Sequence, residues 1–181
     1  MTVLEIAQVI YFFGPAYAAD MSPIFARELF AGLDRPIDGG RTWRGTRLLG
    51  SHKTWRGLCA CAVAGLATYE AQRFVHSLGW LRDLAAIDYE AIPVLPGLLM
   101  GLGAGVGDAA KSFFKRRVGI APGATWLVFD QLDFFVGALV FVSLVYAPPL
   151  GVVLAAVPFV FVSEVAATTL FWRLGLKESW I

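Results

Sequence analysis

Five stretches of this 181-residue chain approach the roughly 20 apolar residues that a helix needs to cross the hydrocarbon of a bilayer. They lie at about 3–26, 57–78, 92–112, 127–147 and 149–172. The chain is 57% hydrophobic and 16% charged, more apolar than an ordinary soluble domain, whose apolar share is near about half. The sequence therefore predicts an all-α, polytopic membrane protein with five transmembrane helices. The first stretch is the least regular, because Pro15, Asp20 and Pro23 interrupt it. No basic segment precedes it, which argues against a cleaved signal peptide.

The connections orient the bundle, since loops rich in Lys and Arg stay in the cytoplasm. Connection 1–2 carries Arg27, Arg35, Arg41, Arg44, Arg47, Lys53 and Arg56, and connection 3–4 carries Lys111, Lys115, Arg116 and Arg117. Arg173 and Lys177 follow the last span. Connection 2–3 sets Arg82 beside Asp83, Asp88 and Glu90, and connection 4–5 has no cation. This places the N-terminus outside, the C-terminus in the cytoplasm, and cytoplasmic loops at about 27–56 and 113–126. The net charge of +1 hides that polarity, so no nucleic-acid partner is implied, and no obligate protein partner is evident. Residues 32–56 are too short and too rich in Gly and Arg to form a soluble domain, and are expected to need a ligand or the bundle to order them. The whole chain, 1–181, reads as one membrane-embedded catalytic domain.

Two features invite a functional reading and are better explained by packing. Cys59 and Cys61 sit on different faces of an apolar helix, which gives neither a zinc pattern nor a disulfide framework. Gly101, Gly103, Gly105 and Gly107 mimic a dinucleotide fingerprint but lie inside a span with no strand before them. Gly101 with Gly105, and Gly103 with Gly107, are each four apart and form two small-residue faces for close helix contact.

Charge clustered at span ends does need a ligand or a polar cavity, because ionisable groups are costly in hydrocarbon. Asp108, Lys111, Ser112 and Lys115 fall at i, i+3, i+4 and i+7, one face of the third helix. Asp130 and Asp133 share a face at the start of the fourth. Three carboxylates at one membrane surface can offer oxygens to Mg²⁺, which takes one or two carboxylates plus substrate phosphates. The plainer alternative is internal ion pairing on a wetted loop. Pro122-Gly123 supplies a turn before the fourth helix. A second cluster, Gly50-Ser-His-Lys-Thr-Trp-Arg-Gly57, leads into the second helix, where Lys53, Arg56 and backbone N–H groups at the helix start can hold phosphates. His52 lacks companion metal ligands and belongs with the substrate-binding groups, whereas His76 reads as an interfacial residue outside. Asp20 and Glu164 fall toward the cytoplasmic half of their spans, and Glu70 pairs with Arg73 near the outer face.

These segments resemble the signature of the CTP-dependent cytidylyltransferases that make CDP-activated lipids. Gly107-Asp108, Lys111-Ser112, Lys115-Arg116, Pro122-Gly123 and Asp130 through Asp133 carry the likeness. In detail, Ser-His-Lys-Thr-Trp-Arg-Gly and Lys-Ser-Phe-Phe-Lys-Arg-Arg resemble the archaeal CDP-archaeol synthases, small relatives of bacterial CDP-diacylglycerol synthase. One departure is Asp20, where the family pattern has Asn. The resemblance implies a Mg²⁺-dependent enzyme of the cell membrane, with its active site on the cytoplasmic side. Its substrates would be CTP and an isoprenoid glycerol phosphate lipid, 2,3-bis-O-(geranylgeranyl)-sn-glycerol 1-phosphate, and its products CDP-archaeol and pyrophosphate. Asp108, Asp130, Asp133 and Lys111 are the expected catalytic groups, the three aspartates as metal ligands. Lys53, Arg56, Ser112, Lys115, Arg116 and His52 are expected to bind substrate. Attack of a lipid phosphate on a nucleotide needs no protein nucleophile, which suits a chain without a Ser/His/Asp or Cys/His arrangement. A related polyprenol or lipid-alcohol kinase, and a small transporter, are the competing readings; a CDP-alcohol phosphotransferase is not, since Asp38-Gly39 lacks the Ala-Arg that its motif requires.

Overall fold

The computed structural model describes residues 2–26, 31–92, 94–121 and 124–175. Arg27, Pro122-Gly123 and Lys177, used in the sequence reading, lie outside them. Five helices follow one another: α1 Val3–Phe25, α2 Trp55–Ser77, α3 Leu95–Arg117, α4 Phe129–Val142 and α5 Leu150–Arg173. Thr2 and Glu5 close a capping box at the start of α1, and the helix runs on through both Pro15 and Pro23. Thr54 caps α2 by accepting from the Gly57 N–H at 3.2 Å.

The third helix is central, and its glycines make that possible. A Cβ on Gly101 would strike the α2 backbone at Cys61 and Ala62, and one on Gly103 or Gly107 would strike the α4 backbone at Gly137 or Asp133. The two glycine faces thus receive one helix each, close enough that backbone meets backbone. Against them α1 lays Phe12, Phe13, Ala16 and Ala19, all fully or almost fully buried. Phe13 packs on Phe135 of α4 with ring centroids 4.7 Å apart, and Tyr17 on Phe134 at 5.2 Å. The fifth helix touches the rest through a narrow stripe of Ala156, Val160, Glu164 and Thr168, spaced four apart as one helix face demands.

Three expectations need correction. The architecture is helical but includes a short antiparallel hairpin, β1 Thr42–Trp43 paired with β2 Thr46–Arg47. The fourth helix ends at Val142 rather than near 147. The Ser143 hydroxyl bonds back to the Leu139 carbonyl at 2.7 Å, and Pro148 and Pro149 stop further helix. At 1.5 Å per residue its 14 residues span about 21 Å, short of the roughly 30 Å hydrocarbon core. Third, α3 continues to Arg117, so Arg116 and Arg117 ride on its last turn instead of in a loop beginning near 113. Among the described residues one helix, α5, is long and apolar enough to cross a membrane by composition alone, with mean hydropathy 2.2; α1 to α3 are diluted by the polar and glycine residues that build the interior.

The 31–54 segment orders itself around one carboxylate. Asp38, its side chain 2% exposed, accepts from the Gly40 N–H at 2.9 Å, the Leu49 N–H at 2.9 Å and the Arg47 guanidinium at 3.0 Å. Burial pushes the Asp38 carboxyl upward, but the two backbone donors and Arg47 outweigh it and hold the group below the usual carboxylate range.

Candidate active site

The end of α1, the start of α2, the end of α3, the start of α4 and the later part of α5 meet at one end of the bundle. Asp20, Lys53, Asp108, Asp130, Asp133 and Glu164 line a single cavity of about 340 Å³ there. The i, i+3, i+7 register of α3 carries Asp108, Lys111 and Lys115 toward it, and close approach at Gly107 brings α4 alongside.

Lys111 is the hub. Its ammonium lies 3.2 Å from Asp108 Oδ1, 3.0 Å from Asp130 Oδ1 and 2.9 Å from Asp133 Oδ2. Lys115 meets both Asp130 oxygens at 3.0 Å, and Lys53 donates to Asp108 Oδ2. Asp130 also accepts from the Trp126 N–H at 2.6 Å, in the first turn of α4 where the helix dipole favours an anion. Asp133 accepts the Phe134 N–H at 2.7 Å. Three aspartates and three lysines thus balance in charge at a partly buried interface, the condition under which such a cluster is tolerable.

Lys53, Lys111 and Lys115 face a second cavity of about 550 Å³ as well. Here the lining changes sign: Arg47, His52, Ser112 and Arg116 join the lysines, with no carboxylate. The lysines form a wall with carboxylates on one side and an anion-receptive space on the other. A third space, an apolar groove of about 650 Å³ between α3 and α4, is lined by Phe114, Phe129, Val136 and Val140 and borders Lys111 and Asp133. Lys111 therefore borders an acidic cavity, a basic cavity and a hydrocarbon-lined groove.

Most of the expected site residues come together in this arrangement. Arg56 does not reach the hub. It pairs with Asp34 at 3.1 Å and lines an adjoining cavity, shared with His52. The donors at the start of α2 are also largely taken, the Gly57 N–H by Thr54 and the Trp55 N–H by the Arg35 carbonyl at 3.0 Å. Arg117, next to Arg116 in the last turn of α3, turns to the hairpin. It donates to the Trp43 and Arg47 carbonyls at 3.2 and 2.8 Å. Asp20 and Glu164 both border the acidic cavity, and Glu164 accepts from the Thr168 hydroxyl at 3.1 Å. Glu70 and Arg73 pair at 2.8 Å as their spacing predicted. The sequence reading missed Asp38 and Arg47; the Asp-Gly-Gly turn and an Arg nine residues later were the available signals.

The oxygen donors suit a hard cation, but the described residues hold no ready group of three or more metal-ligating side chains. The carboxylates are spread around an ammonium rather than drawn together. Their chemistry fits Mg²⁺ held by one or two carboxylates with substrate phosphate completing the shell, and does not resemble a closed protein cage.

Known proteins resemble this chain over most of its length. The family model described as CarS-like, CDP-archaeol synthase, matches residues 2–181. A CDP-archaeol synthase of Methanothermobacter thermautotrophicus is 35% identical over 181 residues, covering 99% of this chain and 96% of that protein. One from Halobacterium salinarum is 44% identical over 134 residues, covering 72% and 68%. A solved intramembrane enzyme for archaeal membrane lipid biosynthesis superposes with a TM-score of 0.67 at 35% identity, covering 87% of this chain and 90% of that one.

Proposed function

The chain belongs to the CarS-like family of CDP-archaeol synthases, and on that premise we propose that it is a membrane cytidylyltransferase joining CTP to an isoprenoid glycerol phosphate. The observation that carries this reading is the position of Lys111, where a basic cavity, an acidic cavity and an apolar groove meet. A reaction between a nucleoside triphosphate and a phospholipid needs those three environments at one point.

The basic cavity receives the triphosphate, with Lys53, Lys115 and Arg116 neutralising it. The acceptor lipid enters sideways through the α3–α4 groove, chains against Val136 and Val140, phosphate toward Lys111. One oxygen of the lipid phosphate attacks the α-phosphorus of CTP. The bond from that phosphorus to the oxygen bridging to the β-phosphorus breaks, and pyrophosphate leaves toward the basic cavity. Lys111 and Lys53 hold two mutually repelling anions together and offset charge as it moves to the leaving group, so catalysis is mainly positioning and electrostatics. Asp108, Asp130 and Asp133 are the groups that would hold Mg²⁺, which when bound supplies further positive charge at the phosphate oxygens.

On this reading both basic loops face the cytoplasm, where the nucleotide is, and the lipid reaches the site from the bilayer. The outward faces of the shorter and more polar helices remain apolar, with Ile10, Val63, Phe74, Val106, Val136 and Val140 all exposed. A soluble monomer rarely presents so much apolar surface, and lipid is its natural solvent.

Vesicles containing the purified protein and the geranylgeranyl glycerol phosphate, given CTP labelled in the ring or at the γ-phosphate, test the function. Ring label entering lipid, with pyrophosphate released in equal amount, is expected. Entry of γ-label alone would make the protein a lipid kinase, and entry of neither would remove both.

A further inference from the structure

The hairpin of residues 42–47 is too small to hold its own shape. Each strand has two residues, and even longer isolated hairpins are marginal in water. Its turn places Arg44 and Gly45 at φ of 53° and 77°, the left-handed pair that a tight two-residue hairpin turn demands and that a side chain such as Arg adopts reluctantly. Something outside must fix it, and two anchors do. Asp38 grips Arg47 and the Leu49 N–H from one side. From the other side Arg117, in the last turn of α3, donates to the Trp43 carbonyl at 3.2 Å, the Thr46 carbonyl at 3.4 Å and the Arg47 carbonyl at 2.8 Å. Its guanidinium lies over the rings of Trp43 and Phe113, 5.6 and 5.2 Å from their centroids. A planar fork that donates at its edge while it stacks on its face is a role lysine cannot fill.

The anchored hairpin is one wall of the basic cavity, to which it contributes Gly45, Thr46 and Arg47. Arg47 from the hairpin and Arg116 from α3 both line that cavity. The α3 helix that carries Arg117 also carries Lys111 and Lys115, so the clamp ties the hairpin to the same rigid element as the reaction hub.

We propose that Arg117 is a positioning residue for the nucleotide: by pinning the 42–47 hairpin to α3 it holds Arg47 at the wall of the basic cavity, where Arg47 is a further phosphate-binding side chain. The inference rests on the assignment of that cavity to CTP. It predicts an effect on one substrate of the two, since the acceptor lipid approaches through the α3–α4 groove on which neither arginine borders.

Steady-state kinetics of the full-length protein in vesicles, with CTP and lipid phosphate varied separately, test it. Arg117→Lys keeps the charge and loses the fork, and it should raise KM for CTP on the order of tenfold, the scale of losing a partner that orients a binding group. kcat and the KM for lipid should stay within about twofold. Trp43→Leu, which removes a ring from beneath the guanidinium and leaves α3 untouched, should move the same constant in the same direction and carries the test if Arg117→Lys does not fold. Arg47→Lys should also raise KM for CTP, and combining it with Arg117→Lys should add little, because both act through one wall. An arginine that merely stabilised the fold would reduce the amount of active enzyme, and so the apparent kcat, without touching KM for CTP. An unmoved KM for CTP in the folded variants, or an equal rise in both KM values, overturns the inference. Failure of the unaltered protein to turn over CTP overturns instead the function on which it rests.

Discussion

Replacing Lys111 by Met removes the hub ammonium while keeping a chain of similar length, and the structure says where the cost falls. Asp108 keeps its bond from Lys53. Asp130 keeps two contacts from Lys115 and one from the Trp126 N–H. Asp133, 6% exposed, keeps the Phe134 N–H and loses the cation that neutralised it. One stranded buried charge costs about 3 to 5 kcal/mol. At about 2 to 4 °C per kcal/mol for a chain of this size, the thermal midpoint should fall by about 6 to 20 °C. The assay is thermal unfolding of the purified protein in detergent with EDTA at neutral pH. Adding Asp133→Asn to Lys111→Met removes the stranded charge and should recover most of the loss, giving a coupling energy that only directly interacting groups show. Catalysis should stay absent in the double variant, since stability and function part company here. A Lys111→Met midpoint within a degree or two of the unaltered protein, or no recovery in the double variant, would refute the hub reading.

Lys53→Ala should weaken substrate use by far more than the roughly 0 to 1 kcal/mol of an exposed ion pair, because Lys53 bridges Asp108 and the basic cavity; kinetics with each substrate varied show which phosphate it grips. Val140→Trp, filling the α3–α4 groove far from the hub, should raise KM for the lipid about tenfold or more with CTP unaffected, while Val63→Trp on the apolar surface beside α1 should do neither. Asp38→Ala should open the hairpin segment to trypsin, with Arg41, Arg44 and Arg47 cleaved faster at neutral pH. Because the Asp38 carboxyl is held below its usual range, its contribution is fully present above about pH 4 and is lost as pH falls through the lowered value, so the unaltered protein should show the same opening on acidification.

The sequence made the helices legible because each apolar run is bounded by residues that end helices or charge a surface. Three of the five helix ranges, those of α1, α2 and α5, match expectation closely at both ends, whereas α4 stops short of its own apolar stretch at Val142 and α3 outruns its stretch to Arg117. There a hydropathy reading sees a loop, but Lys115, Arg116 and Arg117 sit in the last turn, where cations favour helix. The short α4 was hidden because residues 143–147 are as apolar as those before them, and only the back-bonded Ser143 and the following prolines end the helix. The glycine faces of α3 were legible from spacing alone. The site was legible as a set of residues and not as an arrangement. Register places Asp108, Lys111 and Lys115 on one face, but that Lys111 rather than an empty space lies among the carboxylates depends on how closely α4 approaches at Gly107 and Gly137. The hairpin could not be read at all, since two-residue strands leave no periodicity and its anchors, Asp38 and Arg117, lie 79 residues apart in sequence.

We propose that the segment before α2 and the segment after α3 enclose one nucleotide site on the cytoplasmic face. Ser51 and Ala121 both line the basic cavity, one from each segment. Cysteines placed singly at these two positions, in a protein with Cys59 and Cys61 replaced, can be labelled in sealed vesicles of known orientation with an impermeant maleimide. Both should react from the cytoplasmic face alone, and Mg²⁺ with CTP should slow both together over the same concentration range. Labelling from opposite faces, or rates indifferent to the nucleotide at both positions, would contradict it.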